Sequence, residues 1–127
     1  MNLGLKMILY GNPITKKNSQ RIVKCGRYHK VLPSKQFLAY EKDCLSQIKG
    51  KDKLGIDKPV NLSCLYYMQR RYKVDLVNLL EGTCDILVNA GVIADDNFKI
   101  IYSMDGSRVF HDKENPRVEI EISEIEE

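Results

Sequence analysis

Between Asp75 and Gly91 the chain carries its strongest structural instruction. Leu76, Leu79, Leu80, Thr83, Ile86, Leu87 and Ala90 recur at helical spacing. Asp75 stands where an N-cap belongs, and Gly91 where a left-handed residue ends a helix. A helix over roughly 76–89 with so broad an apolar face has to bury it against something. The flanking segments supply that surface. Residues 60–68 alternate Val60, Leu62 and Cys64 on one side and then turn apolar, which predicts a strand buried on at least one face. Residues 98–103 and 117–122 read as further strands, the second alternating Val118, Ile120 and Ile122 with Arg117, Glu119 and Glu121. Upstream, 5–10 predicts a first strand stopped by Gly11-Asn12-Pro13. A flexible hairpin around Ile22-Val23 and 28–32 follows, with Gly26 at its turn. Ser34 caps a second helix over 35–48, with Phe37, Leu38, Leu45 and Ile48 as its stripe. Residues 50–58 form a polar loop, and Asp105-Gly106 is a tight turn. The predicted class is α+β: a small mixed β-sheet with two main helices packed on one face. At 127 residues with no visible linker, 1–127 is expected to form one domain.

Charge divides the chain. The first 40 residues hold Lys6, Lys16, Lys17, Arg21, Lys24, Arg27, Lys30 and Lys35 and no acid before Glu41, while residues 74–127 hold thirteen acids against four basic residues. The overall charge of +3 conceals this partition. A front segment of one sign points to a polyanion such as nucleic acid, or else to pairing with the protein's own acidic half. No apolar run approaches the ~20 residues of a membrane span, and no signal-peptide pattern opens the chain. Cys25, Cys44, Cys64 and Cys84 form no CxxC pair, so a zinc ribbon or thioredoxin-type site is excluded. They are expected to be reduced thiols of a cytoplasmic protein. No phosphate-binding glycine loop is present, and His29 and His111 stand alone.

The acids fall in two groups. Asn78, Glu81 and Asp85 lie at i, i+3 and i+7, on one helix face, with Asp75 at its start. Asp95-Asp96 follows the Gly91 stop. Carboxylates gathered beside a basic surface suit a hard cation such as Mg²⁺, which takes one or two protein carboxylates and completes its shell with water and phosphate. Such an ion serves phosphodiester hydrolysis. Each acid also has an ordinary use, Asp75 as a cap, Glu81 and Asp85 as helix-surface charge, and Asp95-Asp96-Asn97 as a turn.

Several segments together resemble the RusA family of Holliday junction resolvases, small endonucleases of phages and prophages. They are Gly11-Asn12-Pro13 with Lys16-Lys17-Asn18-Ser19, Arg70-Arg71-Tyr72-Lys73 leading into Asp75-Leu76-Val77-Asn78-Leu79, Asp85-Ile86-Leu87, and Gly91-Val92-Ile93-Ala94-Asp95-Asp96. The helix-to-DD portion is the specific part. The resemblance implies a homodimer that binds four-way DNA junctions and cuts them by paired symmetric nicks with Mg²⁺, or Mn²⁺, as cofactor. On that basis Asp75 and Asp96 are the expected metal ligands, with Asp95, Glu81 and Asp85 supporting or replacing them, and Asn78 orienting a ligand or water. Lys16, Lys17, Asn18, Arg21, Arg70, Arg71 and Lys73 are the expected DNA contacts. Two positions depart from the family pattern. Val77 stands where a second acid is expected, and Glu81 where a lysine is expected. Glu81 is the expected substitute for the missing acid. The alternative readings are a catalytically degenerate junction-binding protein and an interaction protein whose basic half pairs with its own acidic tail.

Overall fold

The computed structural model describes residues 4–16, 21–32, 34–71 and 73–125, with only the backbone of 21–23. The alternating segment forms β4 (Val60–Met68), the spine of the main sheet. Val60, Leu62, Cys64, Tyr66 and Met68 are buried on one face, and the residues between them are half-buried on the other. β7 (Arg117–Glu124) pairs antiparallel with β4, placing Ile122 opposite Leu62 and Ile120 opposite Cys64. β1 (Gly4–Tyr10) pairs antiparallel with β7, Leu9 opposite Val118. On the other edge of β4 run two short parallel strands, β5 (Ile101–Ser103) and β6 (Arg108–His111). The sheet is therefore mixed, as expected. β2 (Arg21–Cys25) and β3 (Tyr28–Leu32) form a separate antiparallel ribbon.

Two helices share the core with the buried sheet face. In α1 (Lys35–Gln47), the Ser34 side chain accepts the Phe37 amide at 3.0 Å. In α2 (Leu76–Ala90), the Asp75 carboxylate accepts the Val77 amide at 2.9 Å, and Gly91 at φ 81° closes the helix. Leu79, Ile86 and Leu87 pack into the core beside Leu62 and Ile120. One polar link is buried with them: Tyr66 and Thr83 hydroxyls lie 2.6 Å apart, and Thr83 also donates to the Leu79 carbonyl. No described helix is long and apolar enough to cross a membrane.

Three expectations change. The strand expected over 98–103 survives only as Ile101–Ser103. Asn97 accepts the Lys99 amide through its side chain and the Ile100 and Ile101 amides through its carbonyl, so 98–100 turn and Phe98 is left 78% exposed. β6 was not expected, because its four residues are all exposed and carry no alternation. It arises because Asn61 clamps the turn before it, donating to the Asp105 carbonyl and accepting from the Asp105 amide and the Ser103 hydroxyl. In α1 the buried positions are Phe37, Tyr40 and Cys44, and Leu38 faces outward. The buried side of the helix is thus centred on Tyr40 and Cys44 rather than on Leu38.

Candidate active site

The approach to the site begins where β1 ends. Gly11, at φ 118°, donates its amide to the Pro116 carbonyl, and Asn12 accepts the Gln69 amide at 2.9 Å. These bonds hold the following residues against the body as they cross α2 at Gly82. A Cβ at Gly82 would lie 3.0 Å from Phe37 Cε1 and 3.8 Å from the Ile14 carbonyl oxygen, so the bare helix surface makes room for the Phe37 ring beside the crossing. The crossing delivers Lys16, whose Nζ meets Asp85 Oδ2 at 2.6 Å.

The second approach comes from the end of α2. Past Gly91 the chain pairs with the loop before β4: the Gly55 amide donates to the Gly91 carbonyl, the Ile56 amide to Val92, and the Ala94 amide to Ile56. That pairing turns Asp95 and Asp96 back along the helix. The result is a cleft of about 380 Å³ lined by Lys16, Phe37, Leu38, Glu41, Asp85, Val88, Asn89, Asp95 and Asp96. Glu41 accepts from the Asn89 side-chain amide at 3.0 Å. Asp95 accepts from the Asp96 amide at 2.8 Å and from Asn97 Nδ2 at 3.1 Å.

Carboxylates dominate this cleft, and their field is felt by its neighbours. The hydrogen bond that Lys16 donates to Asp85 raises the Lys16 pKa above its ordinary value against the opposing effect of desolvation, with further support from the charges of Asp85, Glu81 and Glu41. Burial, then the charges of Asp96, Asp85 and Glu81, push the Cys84 thiol up to about 12. The charge of Glu81 is thus felt by both Lys16 and Cys84. Asp95 is held below the usual carboxylate range by the Asp96 amide and Asn97. A group so held stays ionised, which suits a ligand better than a proton store.

The donor set is all oxygen, and an ammonium already sits on one of its carboxylates, so the cleft fits a hard cation held by one or two carboxylates. Among the described residues, no three His, Cys, Asp or Glu side chains converge as a ready-made metal cluster. A larger groove, of about 530 Å³, lies on the sheet's other face, where Lys6, Lys49 and Lys51 mix with Asp52, Glu119 and Glu121. Its balanced charge gives it no comparable preference for a cation.

The other expected site residues lie elsewhere. Asp75 is exposed at the start of α2, about 15 Å along the axis from Asp85 at 1.5 Å per residue. Neither it nor the half-buried Asn78 and Glu81 line the cleft. Val77 is 68% exposed beside Asp75. Arg70, Arg71 and Lys73 are exposed at that same end, where Arg71 Nε donates to His111 Nδ1 at 3.2 Å. Lys17, Asn18, Ser19 and Tyr72 lie outside the described residues, and only the backbone of Arg21 is described. Glu41 and Asn89 were missed by the sequence reading. The signal for Glu41 was available, since it is the first acid after forty residues without one.

A family model described as "Endodeoxyribonuclease RusA" matches residues 11–123. No curated protein matches the chain.

Proposed function

We propose that this chain, which belongs to the RusA endodeoxyribonuclease family, resolves four-way DNA junctions as a homodimer through metal-dependent hydrolysis at the Asp85–Asp95–Asp96 cleft. The observation that carries this reading is the cleft itself. It gathers acids from the third turn of α2 and from the turn after it beside Lys16, at the edge of the acid-free segment.

Mg²⁺ or Mn²⁺ would be held by Asp96 with Asp85 and Asp95 as neighbouring oxygen donors, and Glu81 would have to turn in from outside the lining to join them. When bound, such an ion supplies Lewis-acid charge and a more acidic ligated water. The chain's own residues do the rest. Asp95, ionised and fixed by its turn, orients a water. Lys16, which donates to Asp85 in the free protein, would be placed to donate to a phosphate oxygen of the bound DNA. Water adds to phosphorus, one P–O ester bond breaks, and a phosphate and a hydroxyl end result. Glu81, one turn beyond exposed Val77, restores the acid that the family pattern puts at position 77. Asp75 stands too far along α2 to join Asp85 within one chain. In a two-fold dimer it would serve the partner's cleft, and two matched sites suit a substrate that is itself two-fold.

The test is a labelled four-way junction incubated with purified protein and Mg²⁺. Symmetric paired nicks are expected, lost in Glu81→Gln while junction binding persists. Binding without cleavage by the wild-type protein would overturn the nuclease reading, and full cleavage by Glu81→Gln would overturn the role given to Glu81.

A further inference from the structure

The ribbon of β2 and β3 has no visible reason to be ordered by the rest of the molecule. Its strands pair with each other from Arg21–Leu32 to Cys25–Tyr28 and, among the described residues, make no substantial contact with another element. Every residue from Lys24 to Val31 is exposed, on both faces, including Tyr28 at 79% and Val31 at 58%. A lone two-stranded hairpin is marginal in water, so a surface that completes it has to come from outside. Its charge says which kind. Lys24, Arg27 and Lys30 lie on it, and its whole segment carries no acid.

Its position says where the partner runs. The chain leaves the cleft at Lys16, bonded to Asp85, and returns at Ser34, which caps the helix whose Phe37 and Leu38 line the same cleft. The ribbon thus lies in the chain between two segments that each bear on the cleft. Its five paired positions span about 13 Å, long enough to reach along a groove of duplex DNA, and a two-stranded ribbon fits a major groove.

We infer that the β2–β3 ribbon is a DNA-gripping arm, in which Lys24, Arg27 and Lys30 hold the backbone of one junction arm and the Tyr28 ring stacks on a base exposed at the branch. This rests on the junction-cleaving reading and adds to it a contact surface outside the cleft. Base stacking needs an unpaired or unstacked face, which the branch point offers and a continuous duplex does not.

The experiment is fluorescence anisotropy with a labelled four-way junction and a linear duplex, in EDTA, across a salt series. The variant Lys24→Ala/Arg27→Ala/Lys30→Ala should lower the slope of log affinity against log salt by roughly 2–3. Tyr28→Ala should weaken junction binding roughly 5- to 100-fold and duplex binding little, with Tyr28→Phe restoring the loss. The chain contains no tryptophan, so Tyr28→Trp adds a single reporter whose emission should be quenched by the junction. All these positions are solvent-exposed, and unchanged thermal unfolding checks that the variants fold. Junction binding by the wild type with unaltered affinity and slope in the triple variant overturns the arm and leaves the cleft reading standing. An unquenched reporter overturns the stacking role. Loss of self-association in the triple variant with DNA binding intact would assign the ribbon to a contact between copies and overturn the proposal. Absence of wild-type binding to any DNA at low salt would overturn both readings together.

Discussion

The β2–β3 ribbon and α2 are built on opposite principles. The helix buries Leu79, Ile86 and Leu87 almost completely and is capped at both ends, while the ribbon is exposed throughout 24–31 and carries Tyr28 and Val31 into solvent. The helix side bears carboxylates and the ribbon side bears only cations. Groups that must hold an ion to within fractions of an ångström need a rigid scaffold. Groups that follow a polyanion backbone gain from an element able to adjust, and low local stability supplies that freedom. The difference teaches that chemistry and grip are separable here, so substitutions should split cleanly between turnover and affinity.

The largest effect tests that split. Asp96→Asn should reduce cleavage on the order of 10³-fold, equivalent to several kcal/mol of lost transition-state charge stabilisation, with junction affinity within a few-fold of wild type. Asp75→Asn keeps a competent N-cap and should lose cleavage comparably if the partner's cleft uses it. Mixing the two inactive proteins then gives heterodimers with one intact cleft, and nicking should reappear as single rather than paired cuts. No recovery on mixing would show that Asp75 and Asp96 do not act across subunits.

Stability should divide along the same line. Leu87→Ala in the core should cost about 2–5 kcal/mol by denaturant unfolding. Val31→Ala on the ribbon should cost less than about 0.5 kcal/mol. A ribbon cost near that of the core would mean the arm is packed in solution and the contrast fails.

The same contrast explains what was legible in the sequence. α2, β4 and β7 each carry one uninterrupted period against one core, so 76–89, 60–68 and 117–122 were read to within a few residues. β5 and β6 were not, because they are short edge strands whose placement depends on Asn61 reaching the Asp105 turn 44 positions away. In the cleft, the Gly91 stop marked the end of the helix, but the return of Asp95-Asp96 along it rests on the pairing of Gly55 and Ile56 with the segment after Gly91, which the sequence did not reveal. The pairing of Lys16 with Asp85 across 69 positions, and of Glu41 with Asn89 across 48, had no local signature. Those contacts depend on how the segment before Lys16 and α1, with Phe37 against Gly82, pack on α2.

A smaller effect concerns the sheet's open face. Arg117 lies 3.8 Å over the Tyr67 ring and donates to Asp112 and Glu119. The Arg117 hydrogen bond holds Asp112 below its ordinary 3.8. A carboxyl whose folded pKa is depressed adds stability above the unfolded value and loses it as pH falls through the folded one. Wild type should therefore exceed Arg117→Met in stability at neutral pH, and the gap should narrow as pH drops below about 3.8. A gap that stays constant through that range would assign the whole effect to packing over Tyr67.

The smallest expected change is also the one that reads both regions in a single tube. Burial pushes the Cys44 thiol up to about 11 and the Cys64 and Cys84 thiols to about 12, whereas Cys25 is exposed on the ribbon opposite Tyr28. Thiolate is the reactive species, so at pH 8 the three core cysteines are both shielded and protonated. Alkylation of the native protein should modify Cys25 alone, and the other three only after unfolding. Junction DNA bound in EDTA should then slow Cys25 modification several-fold, because the ribbon would be covered, and leave the core thiols as inert as before. Rapid native labelling of Cys84 would mean that the helix beneath the carboxylates opens readily. The rigid half of the contrast would then be lost, while unchanged Cys25 reactivity with DNA bound would remove the gripping half.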